Sequence, residues 1–576
     1  MNGGEIIAHL LKKYDVEYMF TLCGGHISPI FVGAKDIGIN VIDTRHEANA
    51  VFAADAYARL TGKMGVAAVT AGPGVTNTIT AIKNAQMAQS PVLLLGGAAA
   101  TVLKGRGSLQ DIEQLAVMQS ITKYCTSVRK VKDFVPVINT AIQIAMEGVP
   151  GPVFVECPID LLYDEELVKS WYLASGNKKA SLTEQAVQWY LKRHVDSIFD
   201  GTKNIRIKEE KILPAKDNHT DAHIRVVKSA ISKSRKPLLL VGSGSLHDAS
   251  HANDLANAVN KLGIPTYLSG MARGLLGKDN KLQQRHNRRN ALKQADLIIL
   301  AGVPCDFRLD YGRHLSSKAK TVFINASKTD LFKNKSPDIA VNSNPALFLS
   351  DLAKKFQPKN DWSEWFAILE KSDADKEVSI ADHAKEKGEY INPVELFKTL
   401  DTLLPDNTTL VADGGDFVAT ASYILKPRHT LSWLDPGVFG TLGVGGGFAL
   451  GAKIVNKEDE VWVIYGDGSS AFSIAEIDTM VRHNLPAIIL IGNDASWAQI
   501  ARDQVDILKS DVATVLSYSS YEKIGEAFGA SGKTVRNLEE FTAAVKEAQA
   551  CVKNGKPYVI NALLNKSDFR KGSISM

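Results

Sequence analysis

The stretch VWVIYGDGSSAFSIAEIDTMVRHNLPAIILIGNDASW, residues 461–497, decides the fold. It begins with an apolar run of strand type (461–465), which a glycine turn, Gly-Asp-Gly-Ser-Ser, interrupts. A helical pattern at 471–483 and a second apolar run at 486–491 follow. Short apolar runs joined by a helix are typical of a βαβ unit in a parallel sheet.

Polar side chains follow both strands of this unit. Asp467 comes directly after the first strand, and Asn493 follows the second. Ligands of open parallel sheets bind at the carboxyl ends of the strands. A carboxylate and a neutral amide oxygen suit Mg²⁺ held together with substrate phosphates, and the glycines beside Asp467 let backbone N–H groups approach a phosphate. The stretch therefore predicts a site for a metal ion and a phosphate group.

The composition places few limits on function. The chain has 576 residues, 45% of them hydrophobic and 23% charged, with a net charge of +4. This balance indicates several domains and gives no sign of nucleic-acid binding. The five cysteines include no Cys-x-x-Cys pair, which favours free thiols in a reducing compartment over disulfides or a zinc site.

No apolar run approaches the ~18–20 residues that span a bilayer, and the N-terminus lacks the pattern of a signal peptide. We therefore expect a soluble intracellular protein, cytoplasmic or associated with the endoplasmic reticulum, without a transmembrane segment in these residues. The sequence leaves open whether a longer gene product carries a membrane anchor upstream of Met1.

Strand-like and helical patterns alternate along the chain, which predicts an α/β protein with three doubly wound parallel-sheet domains. The expected domains are residues 1–165, 221–356 and 391–576, with linkers at 166–220 and 357–390. The first and third domains share a design, with ligand loops at the strand ends.

A helical candidate lies in the first linker, at residues 182–199, with apolar side chains that include Trp189 and Tyr190. It either docks on the body of the protein or contacts a membrane surface. We expect docking, because the segment lacks a dense lysine and arginine face.

Three polar or glycine-rich segments follow strands of the first domain: CGGHISP (23–29), DTRHE (43–47) and AGPGVTN (71–77). Glu47 enters a helix of small residues. A lone glutamate at that position is most simply a carboxylate that satisfies the helix dipole. Because Asp467 and Asn493 are also present in the third domain, we favour a role for Glu47 in a ligand site instead.

Three motifs carry a resemblance to a known superfamily. They are Gly-Asp-Gly followed after 24 residues by Asn493, Arg-His-Glu at Glu47, and Gly-Pro-Gly-x-Thr-Asn at Asn77. Together they resemble the thiamine diphosphate enzymes, which include acetolactate synthases, pyruvate decarboxylases and 2-hydroxyacyl-CoA lyases. The resemblance covers nearly the whole chain. It is strongest to the acetolactate synthase-like lyases of the endoplasmic reticulum, through stretches such as TLCGGHISPIF and WLDPGVFGTLGVGGGFALGAK.

The resemblance implies a magnesium-dependent lyase that cleaves the C1–C2 bond of a 2-hydroxyacyl-CoA, releasing an aldehyde one carbon shorter and formyl-CoA. The alternative is an acetolactate synthase-type carboligase that condenses 2-keto acids. A non-catalytic homologue is a third hypothesis, which the complete set of Glu47, Asp467 and Asn493 disfavours.

The same resemblance assigns roles to residues. Glu47 acts on the pyrimidine of the cofactor, His26 is a candidate acid or base, and Gln110 contacts the substrate carbonyl. His26 can equally be a loop histidine that bonds the backbone. Asp467, Asn493 and the carbonyl of Ala495 are the implied magnesium ligands. The implied cofactor-binding residues are Glu47, Gly72, Asn77, Gly415, Asp416, Phe417, Gly440, Leu442, Gly468 and Ser469.

Two departures from the synthase pattern weaken the synthase alternative without proving the lyase. Arg502 stands where acetolactate synthases commonly have a tryptophan, and His26 where they usually have alanine. Leu109 replaces the aromatic residue that precedes Gln110 in related enzymes. Asp416 is an unfavourable neighbour for a phosphate unless it accepts from a backbone N–H or a metal-bound water.

Cofactors and partners follow from the resemblance. We expect thiamine diphosphate and Mg²⁺, and a homodimer or homotetramer in which the pyrimidine domain of one subunit faces the diphosphate domain of another. The substrate is an acyl-CoA or a 2-keto acid. The central domain holds FAD, ADP, the nucleotide end of CoA, or nothing; its turn at residues 241–245 only loosely resembles a dinucleotide turn.

Overall fold

The computed structural model describes residues 1–173, 181–212, 218–357 and 360–571. Contacts divide the chain into two compact units, residues 1–58 with 63–214 and residues 59–62 with 215–576. No helix in the described ranges is both long enough and apolar enough to cross a bilayer.

The first unit is built on a six-stranded parallel sheet with the order β2-β1-β3-β4-β6-β5. Its strands are β1 (Tyr18–Thr21), β2 (Asn40–Asp43), β3 (Gly65–Val69), β4 (Val92–Ala98), β5 (Tyr124–Ser127) and β6 (Val153–Pro158). The helices are α1 (Gly3–Lys13), α2 (Ser28–Asp36), α3 (Glu47–Thr61), α4 (Pro73–Thr76), α5 (Ile79–Ala88), α6 (Gln114–Met118), α7 (Phe134–Met146), α8 (Ile159–Leu162), α9 (Glu165–Tyr172) and α10 (Leu182–Ile198).

The second unit contains two parallel sheets. The central one has the order β12-β11-β10-β7-β8-β9. Its strands are β7 (Pro237–Val241), β8 (Thr266–Leu268), β9 (Gln283–Gln284), β10 (Leu297–Ala301), β11 (Lys320–Ile324) and β12 (Ile339–Val341). The helices are α11 (Asp221–Lys233), α12 (Ala252–Leu262), α13 (Arg288–Gln294), α14 (Lys328–Leu331), α15 (Pro345–Lys355) and α16 (Ser363–His383).

The C-terminal sheet has the order β14-β13-β15-β16-β18-β17. Its strands are β13 (Thr408–Asp413), β14 (Trp433–Leu434), β15 (Glu460–Gly466), β16 (Ile488–Asn493), β17 (Ser531–Val535) and β18 (Tyr558–Leu563). The helices are α17 (Pro393–Leu403), α18 (Gly415–Ile424), α19 (Val444–Val455), α20 (Asp467–Ser470), α21 (Glu476–Arg482), α22 (Ala498–Leu508), α23 (Tyr521–Ala527) and α24 (Leu538–Lys553).

The first and the C-terminal sheets share one strand order, as the common design of their segments predicts. In both, the order reverses between the first and the third strand of the sheet, and this switch point leaves a crevice at the carboxyl ends of the strands. In the C-terminal sheet the crevice lies between β13 and β15. The residues that follow these two strands are therefore the ones positioned to bind a ligand.

The predicted fold class, three parallel α/β sheets, is confirmed. The helix predicted at 471–483 is wrong in its bounds. The turn before it already forms α20, in which the hydroxyls of Ser469 and Ser470 donate to the carbonyls of Gly466 and Asp467. Regular helix resumes only at α21. Strands β9 and β14 contain two residues each, too few to produce a periodic pattern.

The predicted linkers contain ordered helices. Helix α16 occupies most of 357–390, and its Trp365 and Leu369 belong to the core of the central sheet. Helix α10 docks at its C-terminal end, where Val195 and Ile198 are buried and the His194 ring hydrogen-bonds the Thr101 hydroxyl at 2.7 Å. Trp189 and Tyr190 are 63% and 51% exposed, so the docking prediction holds for one end of this helix. Parts of both linkers (174–180, 213–217, 358–359) lie outside the described residues, and the domain boundaries stay a prediction.

Candidate active site

A cavity of about 270 Å³ opens at the carboxyl ends of β13, β15 and β16. Asn493 and Ala495 lie directly beside three of its lining residues, Gly492, Asp494 and Ser496. The lining also includes eight residues that the sequence assigns to the site: Gly415, Asp416, Phe417, Gly440, Leu442, Asp467, Gly468 and Ser469.

Asp467 begins α20 and is almost fully buried. Its carboxylate accepts from the backbone N–H groups of Gly468 at 2.8 Å and Ser496 at 3.2 Å. Burial nevertheless raises the pKa of Asp467 to about 6. Within the described ranges no lysine or arginine forms an ion pair with it. A buried carboxylate without a cation fits a site that takes a metal ion.

Asn493, at the end of β16, is fully buried and held on both sides. Its amide nitrogen donates to the carbonyl of Ser519 at 3.1 Å and to Oδ1 of Asn561 at 3.2 Å. This orients its Oδ1, which accepts from the Ala495 N–H at 3.4 Å. Ala495 adopts a left-handed conformation with φ of 52°, and its carbonyl accepts from the Leu516 N–H at 2.8 Å. One lone pair of that carbonyl is left for a further contact.

Glycines keep the cavity open. A Cβ at Gly468 would lie 2.6 Å from the ring of Trp497. Gly415 and Gly440 have φ of 62° and 65°, and a Cβ at either would meet open space. In the part of the chain that the structure describes, no group of three or more His, Cys, Asp or Glu side chains could hold a metal. A metal here would need amide, carbonyl and phosphate oxygens besides Asp467, as Mg²⁺ uses beside phosphates.

Asp416 lies in the first turn of α18 and forms an ion pair with Arg502 of α22. Both side chains are largely buried, at 13% and 10% exposure. The guanidinium compensates the carboxylate that the sequence places next to a phosphate. Arg502 also donates from Nη1 to the carbonyl of Arg570 at 3.0 Å.

Two further carboxylates border the site and were missed from the sequence. Asp413, at the end of β13, accepts from the N–H groups of Gly443 at 3.1 Å and Gly445 at 2.7 Å, and burial raises its pKa to about 7. Burial and the negative charge of Asp467 raise the pKa of Asp494 to about 7. The sequence does carry a signal for both aspartates, because each stands at the carboxyl end of a buried strand.

The remaining predicted residues lie in the first unit, after β1, β2, β3 and β4. Glu47 is the first residue of α3 and is 7% exposed. Its Oε2 accepts from the Asn77 side chain at 3.0 Å, so these two predicted residues are brought together. Gly72 has φ of 61°, and a Cβ there would lie 2.8 Å from the carbonyl of Gln110. Gly72 and Gln110 are therefore also neighbours.

His26 lies in the loop after β1. Its Nδ1 is 3.4 Å from the Thr70 hydroxyl, and burial lowers its pKa, which favours a neutral imidazole. Among the described residues no backbone group bonds to its ring, so the alternative of a backbone-bonded loop histidine is not what the structure shows. Gln110 has φ of 62° and is half-buried.

Gln114 is a functional candidate that the sequence did not reveal. It is buried, and its Oε1 accepts from the Gly72 N–H at 2.9 Å. Its Nε2 donates at 3.0 Å to Glu156, whose other oxygen pairs with Lys104. The side chain thus holds the Gly-Pro-Gly turn in place. A glutamine in an amphipathic helix carries no sequence signal for such a role.

Three family models match the chain, each over a different part of it. Models of the thiamine pyrophosphate enzymes match residues 1–117 (N-terminal TPP binding domain), 224–352 (central domain) and 413–562 (C-terminal TPP binding domain). The 2-hydroxyacyl-CoA lyase 2 of Danio rerio is 47% identical over 100% of this chain and 93% of its own length. This chain belongs to the thiamine pyrophosphate enzymes.

Other members of the family show the same coverage. The 2-hydroxyacyl-CoA lyase 2 of Homo sapiens is 44% identical over 100% of this chain and 92% of its own length. An acetolactate synthase large subunit of Mycobacterium tuberculosis is 30% identical over 98% of this chain and 96% of its own length. Membership in the thiamine pyrophosphate enzymes supports the predicted thiamine diphosphate cofactor.

Proposed function

We propose that this thiamine pyrophosphate enzyme cleaves the C1–C2 bond of 2-hydroxyacyl-CoA. The hydroxyl-bearing carbon leaves as an aldehyde one carbon shorter, and the thioester carbon takes up a proton and leaves as formyl-CoA. The observation that carries the proposal is the 44–47% identity to 2-hydroxyacyl-CoA lyases over the full chain. Similarity to an acetolactate synthase is lower, at 30%.

Thiamine diphosphate, when bound, would supply the carbanion nucleophile that cleavage of the thioester substrate requires. Glu47 is suited to contact the pyrimidine, because its carboxyl is buried at the start of α3 and oriented by Asn77. Leu442, in the wall of the C-terminal cavity, is suited to support the bent shape of the cofactor by apolar contact.

The diphosphate and a Mg²⁺ ion belong in the C-terminal cavity. Asp467 and the Oδ1 of Asn493 would bind the metal, with the Ala495 carbonyl as a backbone ligand. The buried carboxylate of Asp467, which forms no ion pair with a described residue, supports this assignment. Gly415, Gly440, Gly468 and Ser469 leave room for phosphate oxygens, and the N-terminus of α18 directs N–H groups toward them.

The substrate hydroxyl must lose a proton as the bond breaks. His26 is the proposed acceptor, since the lowered pKa of its imidazole keeps the ring neutral and able to accept. Gln110, beside Gly72, is proposed to donate to the substrate carbonyl from its amide.

A homodimer is the proposed minimal assembly, or a tetramer of two such dimers. The pyrimidine-side residues belong to the first unit and the diphosphate-side residues to the second. As in the resembling enzymes, we propose that these halves meet across two subunits.

The decisive assay supplies purified protein, Mg²⁺ and thiamine diphosphate with either 2-hydroxyacyl-CoA or pyruvate. We expect aldehyde and formyl-CoA from the first substrate and no acetolactate from the second. Acetolactate from pyruvate, without aldehyde from the thioester, would assign the chain to the synthases instead.

A further inference from the structure

Leu442, in the wall of the C-terminal cavity, lies in the loop between Gly440 and α19. The glycines on either side of it, Gly440 and Gly443, have positive φ, of 65° and 91°. Such a backbone continues neither a strand nor a helix. The position of the Leu442 side chain is therefore set by the groups that bond to this loop from other parts of the chain.

Asp413, at the end of β13, holds the far end of the loop. Its Oδ1 accepts from the N–H of Gly443 at 3.1 Å, and its Oδ2 accepts from the N–H of Gly445 at 2.7 Å. The first N–H groups of a helix need a partner outside the helix, and Gly443, directly before α19, has no side chain to supply one. A carboxylate from the neighbouring strand takes that place. Leu442 is thereby tied, through the adjacent Gly443, to the end of β13.

The backbone of Asp413 holds a second element of the same cavity. Its carbonyl accepts from the Ser469 hydroxyl at 2.6 Å, and this hydroxyl lies 3.1 Å from the carbonyl of Gly466. Helix α20, which begins with Asp467, is thus attached to β13 at the residue whose side chain holds the loop of Leu442. Asp413 therefore joins the apolar wall of the cavity to its proposed metal and phosphate side.

Gly414 shows how closely these two elements approach each other. It has φ of 94°, and a Cβ there would collide with the Ser469 side chain and lie 3.1 Å from Cδ2 of Leu442. Leu442 and Ser469 therefore meet on the turn that directly follows Asp413. The spacing between the two walls of the cavity is decided at this turn.

Helix α19 is also held by a second group. The Oγ of Ser473 accepts from the N–H of Gly446 at 3.2 Å and lies 2.8 Å from the Tyr465 hydroxyl. Ser473 and Tyr465 are both buried. The body of the helix is therefore held by contacts that Asp413 does not make. What depends on Asp413 is the start of the helix and the loop before it.

We propose that Asp413 is a positioning residue of the candidate active site, which sets where Leu442 stands relative to the turn that begins with Asp467. This role rests on the proposed function, in which Leu442 supports the bent cofactor. Asp413 is fully buried and is not one of the described residues that line the cavity, so it acts through Leu442. Because a misplacement of about 1 Å can lower a rate about 10²-fold, the two N–H bonds of Asp413 matter for turnover.

The test compares Asp413→Asn with Ser473→Ala in the full chain, loaded with thiamine diphosphate and Mg²⁺. The asparagine keeps the volume of the side chain but turns an N–H donor toward one of the two glycine N–H groups, so the loop has to shift. Ser473→Ala is the matched control, because it removes a bond to the same helix one residue further on. The substrate is whichever of 2-hydroxyacyl-CoA and pyruvate the wild type turns over.

We expect kcat to fall about tenfold or more in Asp413→Asn and less than about twofold in Ser473→Ala. Asp413→Ser, a smaller side chain with one acceptor oxygen, is a second variant and should show the same loss. An equal fall of kcat in Asp413→Asn and Ser473→Ala would mean that Asp413 serves only the stability of α19, which would overturn the proposal.

The KM and the Kd for the cofactor separate positioning from a general loss of structure. The Asp413 carbonyl belongs to the backbone, so its bond to Ser469 survives the substitution. We therefore expect Asp413→Asn to keep the KM and the Kd for thiamine diphosphate close to their wild-type values. A Kd that rises in step with the fall of kcat would contradict a role that acts through Leu442.

A double-mutant cycle with Leu442→Ala tests the route of the effect. If Asp413 acts through Leu442, Asp413→Asn should have little further effect on kcat once the leucine side chain is removed. The kcat of the double variant should then match that of Leu442→Ala. A kcat in the double variant that is lowered by the product of the two single losses would overturn the proposal.

Hydrogen exchange, followed by mass spectrometry on the full chain without substrate, gives a readout that needs no turnover. We expect Asp413→Asn to speed exchange in residues 442–446 and to leave the rest of α19 at its wild-type rate. Unchanged exchange in residues 442–446 would overturn the proposal. Turnover of pyruvate instead of the thioester would refute the proposed function and leave the comparison of the Asp413 variants intact.

Discussion

Arg502 of α22 pairs with Asp416 of α18, and this ion pair lies at the edge of the cavity that Asp467 also lines. The pair ties together two helices whose contact residues are 86 positions apart in the sequence. It also settles how a carboxylate can stand where a diphosphate is expected, because the adjacent guanidinium compensates its charge. A side chain without a positive charge at position 502 would leave Asp416 without this ion pair.

Removing the guanidinium should therefore weaken cofactor binding. We expect Arg502→Gln to raise the Kd for thiamine diphosphate about tenfold, since an uncompensated, largely buried carboxylate would face the phosphates. Titration of the apoprotein, followed by tryptophan fluorescence, measures the Kd. The double variant Arg502→Gln with Asp416→Asn removes the carboxylate charge as well and should recover most of the affinity. An equal loss in both variants would contradict the charge argument.

Glu47 should be needed for turnover and not for folding. We expect Glu47→Gln to lower kcat about 10²–10⁴-fold, the usual contribution of a positioned proton-transfer group. The amide can still meet Asn77, so the thermal midpoint and the Kd for the cofactor should change little. Glu147→Gln, at an exposed position of the same unit, is the matched control and should keep wild-type kcat. Thiamine-dependent turnover that survives in Glu47→Gln would refute the assignment.

Gly468 and Gly466 offer a matched pair of alanine substitutions. A Cβ at Gly468 would lie 2.6 Å from the Trp497 ring, whereas a Cβ at Gly466 finds its nearest neighbours at 3.8 Å. We expect Gly468→Ala to lower the free energy of unfolding by about 1–3 kcal/mol through overpacking. Gly466→Ala should lower it by no more than about 0.5 kcal/mol. Chemical denaturation compares the two, and equal values would show that Trp497 moves aside freely.

Asp413 should make stability depend on pH. Its pKa in the folded protein is about 7, above its ordinary value of 3.8, because the carboxyl is buried. The folded state binds the proton more tightly than the unfolded chain does. The resulting stabilisation is fully present below about pH 3.8 and is lost as the pH rises through about 7.

The free energy of unfolding of the wild type, minus that of Asp413→Asn, isolates this group. We expect this difference to fall by about 2–3 kcal/mol between pH 5 and pH 8. The same difference taken with Asp375→Asn, an exposed aspartate, should stay constant. A difference for Asp413 that rises with pH would mean that its pKa is depressed in the folded state.

Much of the fold was predictable because its signals are local. The buried strands β7, β10, β15 and β16 are continuous apolar runs bounded by glycine or polar residues, and such runs are recognisable without tertiary information. The two-residue strands and the one-turn helix α20 are not recognisable from the sequence, because they are too short to show a periodic pattern of apolar residues. The sequence predicts a linker where helix α16 lies, because the surface of this helix is mostly charged and only Trp365, Leu369 and Ile380 are buried.

The sequence by itself determined the βαβ unit of residues 461–497 and the positions of Asp467 and Asn493 at its strand ends. It did so because side-chain periodicity and strand termination depend on neighbours along the chain. Only the tertiary structure decided that Arg502 meets Asp416, that Asp413 is buried against two glycine amides, and that arginines near β9 and Arg570 share one cavity. These relations join side chains far apart in sequence, and packing of the sheets and helices brings them together. Charge pairing, desolvation and cavity shape therefore arise only in the folded chain.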